Sequence, residues 1–239
     1  MVKPYTEEEE KKVQVKRMFN KIAPFYDFLN HFLSLGIDNR WRKKAIRKLE
    51  SLQPDTILDI ATGTGDLAIM ANKMLSPSKI IGLDLSEEML TVGRKKMVKK
   101  ELDQKIEMIQ GDSENLPFED DSFDAVIVAF GVRNFQNLEK GLNEMQRVLK
   151  KGGKMVILEF TKPRNLLFKT SFNLYFKYIL PLIGRITSKD PKAYKYLYES
   201  VQAFPDYDKL VAYMENAGLK NNSWDSLSFG ICAIYTGEK

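Results

Sequence analysis

Apolar residues recur along this chain with two periods. The runs ILDIA, KIIGLDL, KIEMIQGD, DAVIVAF and KMVILEF are short, rich in β-branched residues and nearly continuous, and each predicts a strand covered on both faces. Between them, LAIMANKML, SEEMLTVGRKKMVKK and LEKGLNEMQRVL carry helical spacing, and a Gly-Gly turn precedes the fifth strand. Strand, turn and helix in alternation imply a parallel sheet with helices on both sides. Residues 5–50 read as helical, charged at first and then dense in aromatic and aliphatic residues over FYDFLNHFLSLGIDNRW. After Phe160 the alternation stops, and residues 161–200 form a long aromatic and basic stretch before the helical YDKLVAYMENAGL. Two last runs, 223–228 and 231–236, are joined through Gly230, a connection too short for a crossover, so they must pair antiparallel.

The pattern has no internal repeat and no low-complexity linker. It predicts one α/β domain over 1–239: a helical N-terminal cover at 1–50, a core at 51–160, an inserted basic and aromatic helical lid at 161–204, and a C-terminal helix and β-hairpin at 205–239. At 239 residues such a domain can bury most of its unfolded surface without staples. One cysteine, Cys232, excludes an internal disulfide, and one histidine, His31, excludes the usual zinc constellations, so no metal site is expected. No stretch of about 18 uncharged apolar residues occurs, and the first twelve residues lack an apolar core, so neither a spanning helix nor a secretory signal is expected and the protein reads as cytoplasmic.

Candidate chemistry collects at three successive strand ends. The segment DIATGTGDL sets Gly63 and Gly65 after the first strand, where the backbone must turn sharply and approach a ligand closely. Asp84 closes the second strand 21 residues after Gly63, the spacing at which an acid reaches ribose hydroxyls in a doubly wound fold. Ser86 follows as an N-cap with Glu87 and Glu88 in the first turn, and Gly111, Asp112 and Ser113 end the third strand. Gly63, Gly65 and Ala68 also fit a dinucleotide fingerprint, which keeps an NAD-dependent oxidoreductase as an alternative. Only five parallel strands before an antiparallel pair favour the smaller S-adenosyl-L-methionine.

The order ATGTGD, GLDLSEEML, GDSENLPFEDDSFDAV and RVLKKGGKMVILEF resembles the class I S-adenosylmethionine-dependent methyltransferases. YDFLNHFLSLGIDNRWRKKAI, FGVRNF, LEF with KP, YLYES and SFGICAIYTG resemble, more narrowly, the menaquinone and ubiquinone biosynthesis C-methyltransferases, and this likeness covers nearly the whole chain. The resemblance implies a doubly wound, mostly parallel seven-stranded sheet with an antiparallel last strand. It implies that Thr62 and the turn amides hold the methionine part of the cofactor, Asp84 the ribose, and Asp112 with Ser113 the adenine side, with Asp59, Gly63, Gly65 and Leu85 completing the set. Where family members often carry serine or glycine, this chain has Ala129, which removes any side-chain hydrogen bond from that position.

The implied reaction is C-methylation of a demethylated isoprenoid quinol, demethylmenaquinol or the benzoquinol of ubiquinone synthesis; another small phenolic or lipid acceptor is the alternative. Losing a phenolic proton enriches the neighbouring ring carbon, and a phenol ionises near pH 10, so a polar group should stand within reach. Tyr26, Asp27 and Arg133 are the candidates, with Arg133 suited to stabilising a phenolate, and Asn134, Tyr175 and Tyr194 are expected to contact the acceptor.

Charge changes the picture in one place. Lysines and arginines exceed acids by five over the chain, whereas residues 161–200 alone hold eight bases against two acids. With eight aromatics in the same stretch, that composition suits peripheral contact with the inner face of an anionic membrane, or equally a pocket wall. A nucleic-acid partner is not expected, since no recognition motif accompanies the bases; a homodimer is left open. The glutamates at 7–10 with Lys11 and Lys12 read as a solvated helix face. His31 reads as structural, Cys232 as a buried inert thiol, and Asp27 as a helix cap almost as readily as a substrate contact.

Overall fold

Seven strands form the predicted sheet: β1 (Thr56–Ile60), β2 (Lys79–Asp84), β3 (Ile106–Gln110), β4 (Phe123–Ala129), β5 (Leu149–Phe160), β6 (Lys220–Leu227) and β7 (Cys232–Glu238). They lie in the order β3-β2-β1-β4-β5-β7-β6, parallel except for β7, which runs antiparallel to both of its neighbours. The structure is a computed structural model and describes residues 2–27, 34, 36–164 and 190–239. His31, Tyr175 and most of the expected lid lie outside the described residues.

Alternation along the strands sends side chains to two cores, one on each face. Leu58, Ile60, Val126, Val128 and Ile157 pack with α5 (Leu138–Val148) and α7 (Asp208–Asn216) through Leu142, Met145, Leu210 and Met214. Ile57, Ile80, Ile127, Val156 and Leu158 face α2 (Ile37–Arg47), α3 (Asp66–Leu75) and α4 (Glu87–Lys99) through Ile46, Ala68, Ala71, Leu90 and Met97. Cys232 lies in the second core, fully buried, and burial pushes its thiol well up. A third, smaller cluster joins α1 (Lys11–Ile22) to α6 (Pro191–Ala203) through Val15, Met18, Tyr194, Tyr196 and Val201.

Three expectations change. The helical reading of 5–50 breaks up: residues before Lys11 are not helical, because the buried side-chain amide of Gln14 accepts from the backbone of Tyr5 and Thr6 and donates to the carbonyls of Thr6 and Glu9. Those competing bonds hold the segment as a bent, non-helical run against α1. The glycines before the fifth strand do not precede it; Gly152 and Gly153 lie inside β5, where the register with β4 shifts between Phe123 and Ala125. The charged run read as a solvated face is solvated only in part, since Lys11 and Lys12 turn inward, Lys11 to 7% exposure.

Strand order reverses between β1 and β4, the switch point at which open α/β sheets bind ligands outside the carboxyl ends. Ser86 caps α4 as predicted, accepting from the Met89 amide, with Glu87 and Glu88 in the first turn.

Candidate functional site

The cleft opens at that switch point. It encloses about 710 Å³ including its open mouth, between the ends of β1 to β4 and the inner face of α1, which contributes Lys12, Val15, Lys16 and Phe19. Glycine makes the turn possible: Gly63, which lines the cleft, and Gly65, which with Asp59 and Thr62 lies behind it, hold φ of +59° and +85°, and a side chain on Gly65 would collide with Met97 in the core. Two non-glycine residues beside the cleft share that left-handed region, Ala61 after β1 at +51° and Phe130 after β4 at +60°. Each costs on the order of 1 kcal/mol or more, and such strain persists where the surroundings impose it.

Along the ends of β1 and β2, carboxylates meet backbone amides. Asp84 accepts from the Gly63 and Ser86 amides, both at 2.8 Å, so it ties the glycine turn to the start of α4. Burial raises its carboxyl, opposed by those amides and that of Leu85. Asp59, only 1% exposed, accepts from the Thr62 hydroxyl at 2.6 Å, and its Oδ1 has no partner of hydrogen-bond geometry. Burial lifts Asp59 to about 7, against the Thr62 hydroxyl and the Ala68 amide. Leu85 and Ser113 line the cleft, and Asp112 accepts from the Glu114 amide at 2.9 Å.

The sequence reading missed what else reaches Asp112. Lys12 Nζ stands 2.6 Å from Asp112 and 3.2 Å from Glu114, a buried acid whose Oε1 accepts the amides of Gln136 and Asn137. Its neighbour Lys11 donates to the carbonyls of Arg133 and Phe135 at 2.9 and 2.8 Å.

On the other side, after β4, Phe130, Gly131, Asn134 and Phe135 line the cleft. Asn134 ends the 3₁₀ turn Val132–Asn134, and its Oδ1 accepts from the Tyr196 hydroxyl at 3.1 Å. Arg133 turns away from that face: its Nη1 pairs with Glu159 at 2.7 Å and donates to the Phe130 carbonyl, and its backbone amide also donates to Glu159. Glu159 is fully buried at the end of β5, and the Arg133 Nε has no partner among the described residues. An acid inside the apolar run KMVILEF was the available signal, because a buried carboxylate requires a counter-ion.

The remaining expected contacts are distributed more widely. Tyr26 lines the cleft beside Gly63 and stands edge-on to Phe19. Asp27 faces α3 and α4, accepting from the Thr64 hydroxyl and pairing with Lys96 at 2.6 Å, while Lys96 also holds Asp66. Tyr194 is buried in the cluster between α1 and α6 and does not line the cleft.

Comparison with known proteins places this geometry. The model of the ubiE/COQ5 methyltransferase family matches residues 5–239. The demethylmenaquinone methyltransferase of Bacteroides fragilis is 48% identical, covering 100% of this chain and 97% of its own length. The ubiquinone/menaquinone biosynthesis C-methyltransferase UbiE of Geotalea daltonii is 46% identical over 96% of this chain and 98% of its own. Among solved structures, a SAM-dependent methyltransferase from Thermotoga maritima superposes with a TM-score of 0.65 at 20% identity, covering 93% of this chain and 99% of its own. The [4+2]-cyclase SpnF reaches 0.64 at 15% identity, covering 95% and 96%. Likeness at that identity speaks for the fold alone, and a cyclase on the same scaffold illustrates that the fold does not choose the chemistry.

Proposed function

Because the chain belongs to the ubiE/COQ5 methyltransferase family, it is an S-adenosyl-L-methionine-dependent methyltransferase of quinone biosynthesis, and we propose that its acceptor is demethylmenaquinol, methylated at a ring carbon. The observation that carries this reading is the cleft itself, whose two sides differ in chemistry. Carboxylates and bare backbone line one side, and Phe130, Phe135 and the Asn134 amide line the other.

The residues present fit the cofactor. Its adenosine offers hydroxyl and amine donors, for which Asp84 and Asp112 retain acceptor capacity, since each carboxylate oxygen takes two hydrogen bonds. Its methionine part suits the turn after β1, where Ala61 and Gly63 line the cleft above the buried Asp59. In this reading Asp84 holds the ribose, Asp112 and Ser113 the adenine, and Asp59, Thr62, Gly63, Gly65 and Leu85 the rest. When bound, the cofactor supplies a methyl group already activated on sulfur.

The protein therefore has to align the acceptor carbon, favour the ionised phenol and keep water out. Tyr26, Phe19 and Val15 roof the cleft and exclude water. Asn134, with Oδ1 engaged by Tyr196 and one Nδ2 hydrogen on the Phe130 carbonyl, is left to present its second Nδ2 hydrogen to a phenolic oxygen. Arg133 acts from behind the turn, where its guanidinium adds positive potential while bound to Glu159. Asp27, paired with Lys96, fastens the roof segment and is not the proton acceptor.

Labelled methyl donor offered with a reduced short-chain demethylmenaquinol, and separately with the matching benzoquinol, tests the reading. Label on the naphthoquinol ring carbon is expected. No label on either quinol, from protein that still binds S-adenosylhomocysteine, refutes it. Label on both is the second reading, favoured by the 46% identity to a relative named for both quinones.

A lipid-tailed acceptor also needs access to a membrane surface, and we assign that contact to residues 161–200 on their charge and aromatic content. Among the described residues, no helix is long and apolar enough to cross a membrane. Replacing Lys162, Lys192 and Lys195 by glutamine should weaken binding to anionic vesicles, and unchanged binding removes the assignment.

A further inference from the structure

We propose that Lys11 is a positioning residue for methyl transfer, holding the turn that presents Asn134 to the acceptor by bonding the carbonyls on either side of it. The proposal rests on the methyltransferase reading above and adds a residue to it.

A turn this tight and this buried must satisfy its carbonyls. The Phe130 carbonyl takes Arg133 Nη1 and the Asn134 side-chain amide, that of Gly131 takes the Asn134 amide at 2.9 Å, and that of Val132 takes the Phe135 amide at 3.1 Å. The carbonyls of Arg133 and Phe135 are then supplied from outside the turn, by the two hydrogens of Lys11 Nζ at 2.9 and 2.8 Å. Asn134 lies between these two anchors, so its backbone cannot shift without breaking one of them, and its side chain, tied to Tyr196 and to the Phe130 carbonyl, is aimed from a fixed base.

Lysine is a costly choice for a mere strut. An ammonium at 7% exposure loses most of its hydration, and a neutral donor could bond one carbonyl with less penalty. A cation that bonds two carbonyls at once fixes a spacing as well as a contact. The groups facing it are Arg133 from the turn, Glu114 from the end of β3 and Glu159 from β5, with Lys12 beside it on α1. Burial and the Arg133 guanidinium pull the ammonium down to about 8, against the two glutamates. The anchor is therefore increasingly charged as pH falls below about 8, and above it keeps two N–H donors that bond the carbonyls more weakly.

The test compares wild type, Lys11→Met, Asn134→Ala and the double variant, with a reduced short-chain demethylmenaquinol as acceptor and S-adenosylhomocysteine as cofactor probe. Lys11→Met is expected to lower kcat/KM for the quinol about 10-fold or more while leaving the S-adenosylhomocysteine Kd within about threefold. The double variant is expected to be no worse than Asn134→Ala alone, because Lys11 acts through Asn134. Equal losses in quinol turnover and cofactor affinity, multiplicative losses in the double variant, or unchanged quinol kinetics would each overturn the proposal.

Should Lys11→Met not fold, the wild-type pH profile decides. Ionisation of a phenolic acceptor makes the rate climb towards pH 10. Loss of the Lys11 charge makes kcat/KM for the quinol fall above about pH 8 with cofactor affinity constant, and a profile that climbs to pH 9.5 refutes the role. A wild-type protein inactive on both quinols is a different failure, that of the functional reading itself, and the role assigned to Lys11 falls with it.

Discussion

The two sides of the cleft are built by different means. The cofactor side is assembled mostly from short-range bonds: Thr62 with Asp59 three residues away, Ser86 with Asp84 two away, and Gly63 with Asp84 across one strand–helix unit. The acceptor side is assembled from distant parts of the chain: Lys11 with Arg133 and Phe135, Glu159 with Arg133, and Tyr196 with Asn134. The first is rigid because its backbone is; the second is rigid only while its ion pairs and buried hydrogen bonds hold. A side that depends on long-range charge pairs should lose stability and function together, whereas one that depends on the local turn should lose ligand affinity with the fold intact.

The largest expected effect lies on the acceptor side. Glu159→Ala strands the Arg133 guanidinium in the core, at a cost of about 3–5 kcal/mol. For a chain of this size that corresponds to a fall in Tm of about 6–20 °C in calorimetry. A Tm within 2 °C of wild type would mean that the pair is not structural. On the side proposed for the cofactor, Asp84→Asn should raise the S-adenosylhomocysteine Kd about 100-fold, or ~3 kcal/mol, with a smaller loss of stability than Glu159→Ala, because the amide nitrogen that replaces one carboxylate oxygen faces a backbone N–H and breaks that bond, and the other bond and the proposed ribose contact lose their charge. Isothermal titration reads this directly, and a change under threefold would break the contrast.

Asp59 sharpens the comparison through pH. Its folded carboxyl titrates near 7, above its value of 3.8 when unfolded, so between those limits the folded state binds the extra proton. The stability it contributes is full below about pH 4 and is lost as pH rises through 7. Urea unfolding of wild type should therefore fall between pH 5 and 8 by on the order of 3 kcal/mol more than that of Asp59→Asn. Parallel pH dependences would show that burial does not govern this group. The smallest effect is expected at Asp27, whose partly exposed pair with Lys96 is worth about 1 kcal/mol or less. Asp27→Asn should leave quinol turnover within twofold, and its abolition would restore Asp27 as the base.

Legibility follows the same division. The sheet, its switch point and the antiparallel tail could be read because hydrophobic period and loop length act locally, and Gly63, Gly65, Asp84 and Ser86 because turn and cap chemistry is contiguous. The register shift at Gly152 and Gly153 was hidden because a bulge and a turn share the same residues. Lys11 and Lys12 were hidden more deeply. In sequence they end a charge run, and nothing nearby reveals that buried carbonyls and acids more than a hundred positions later will draw them inward. The motif FGVRNF sets Arg133 in a turn, but a motif does not say which way a side chain points, and its direction is set by Glu159.

The placement of α1 also has a consequence for synthesis. Lys12 is separated from Asp112 by 100 residues, and Lys11 from Phe135 by 124. At about 5–20 residues per second, helix α1 leaves the ribosome several seconds before the groups that will hold it. Until then Lys11 and Lys12 stay hydrated, and the carboxyl ends of β1 to β4 stand open where α1 will cover them. A piece made early therefore waits for groups made later before it can close the cleft that they frame.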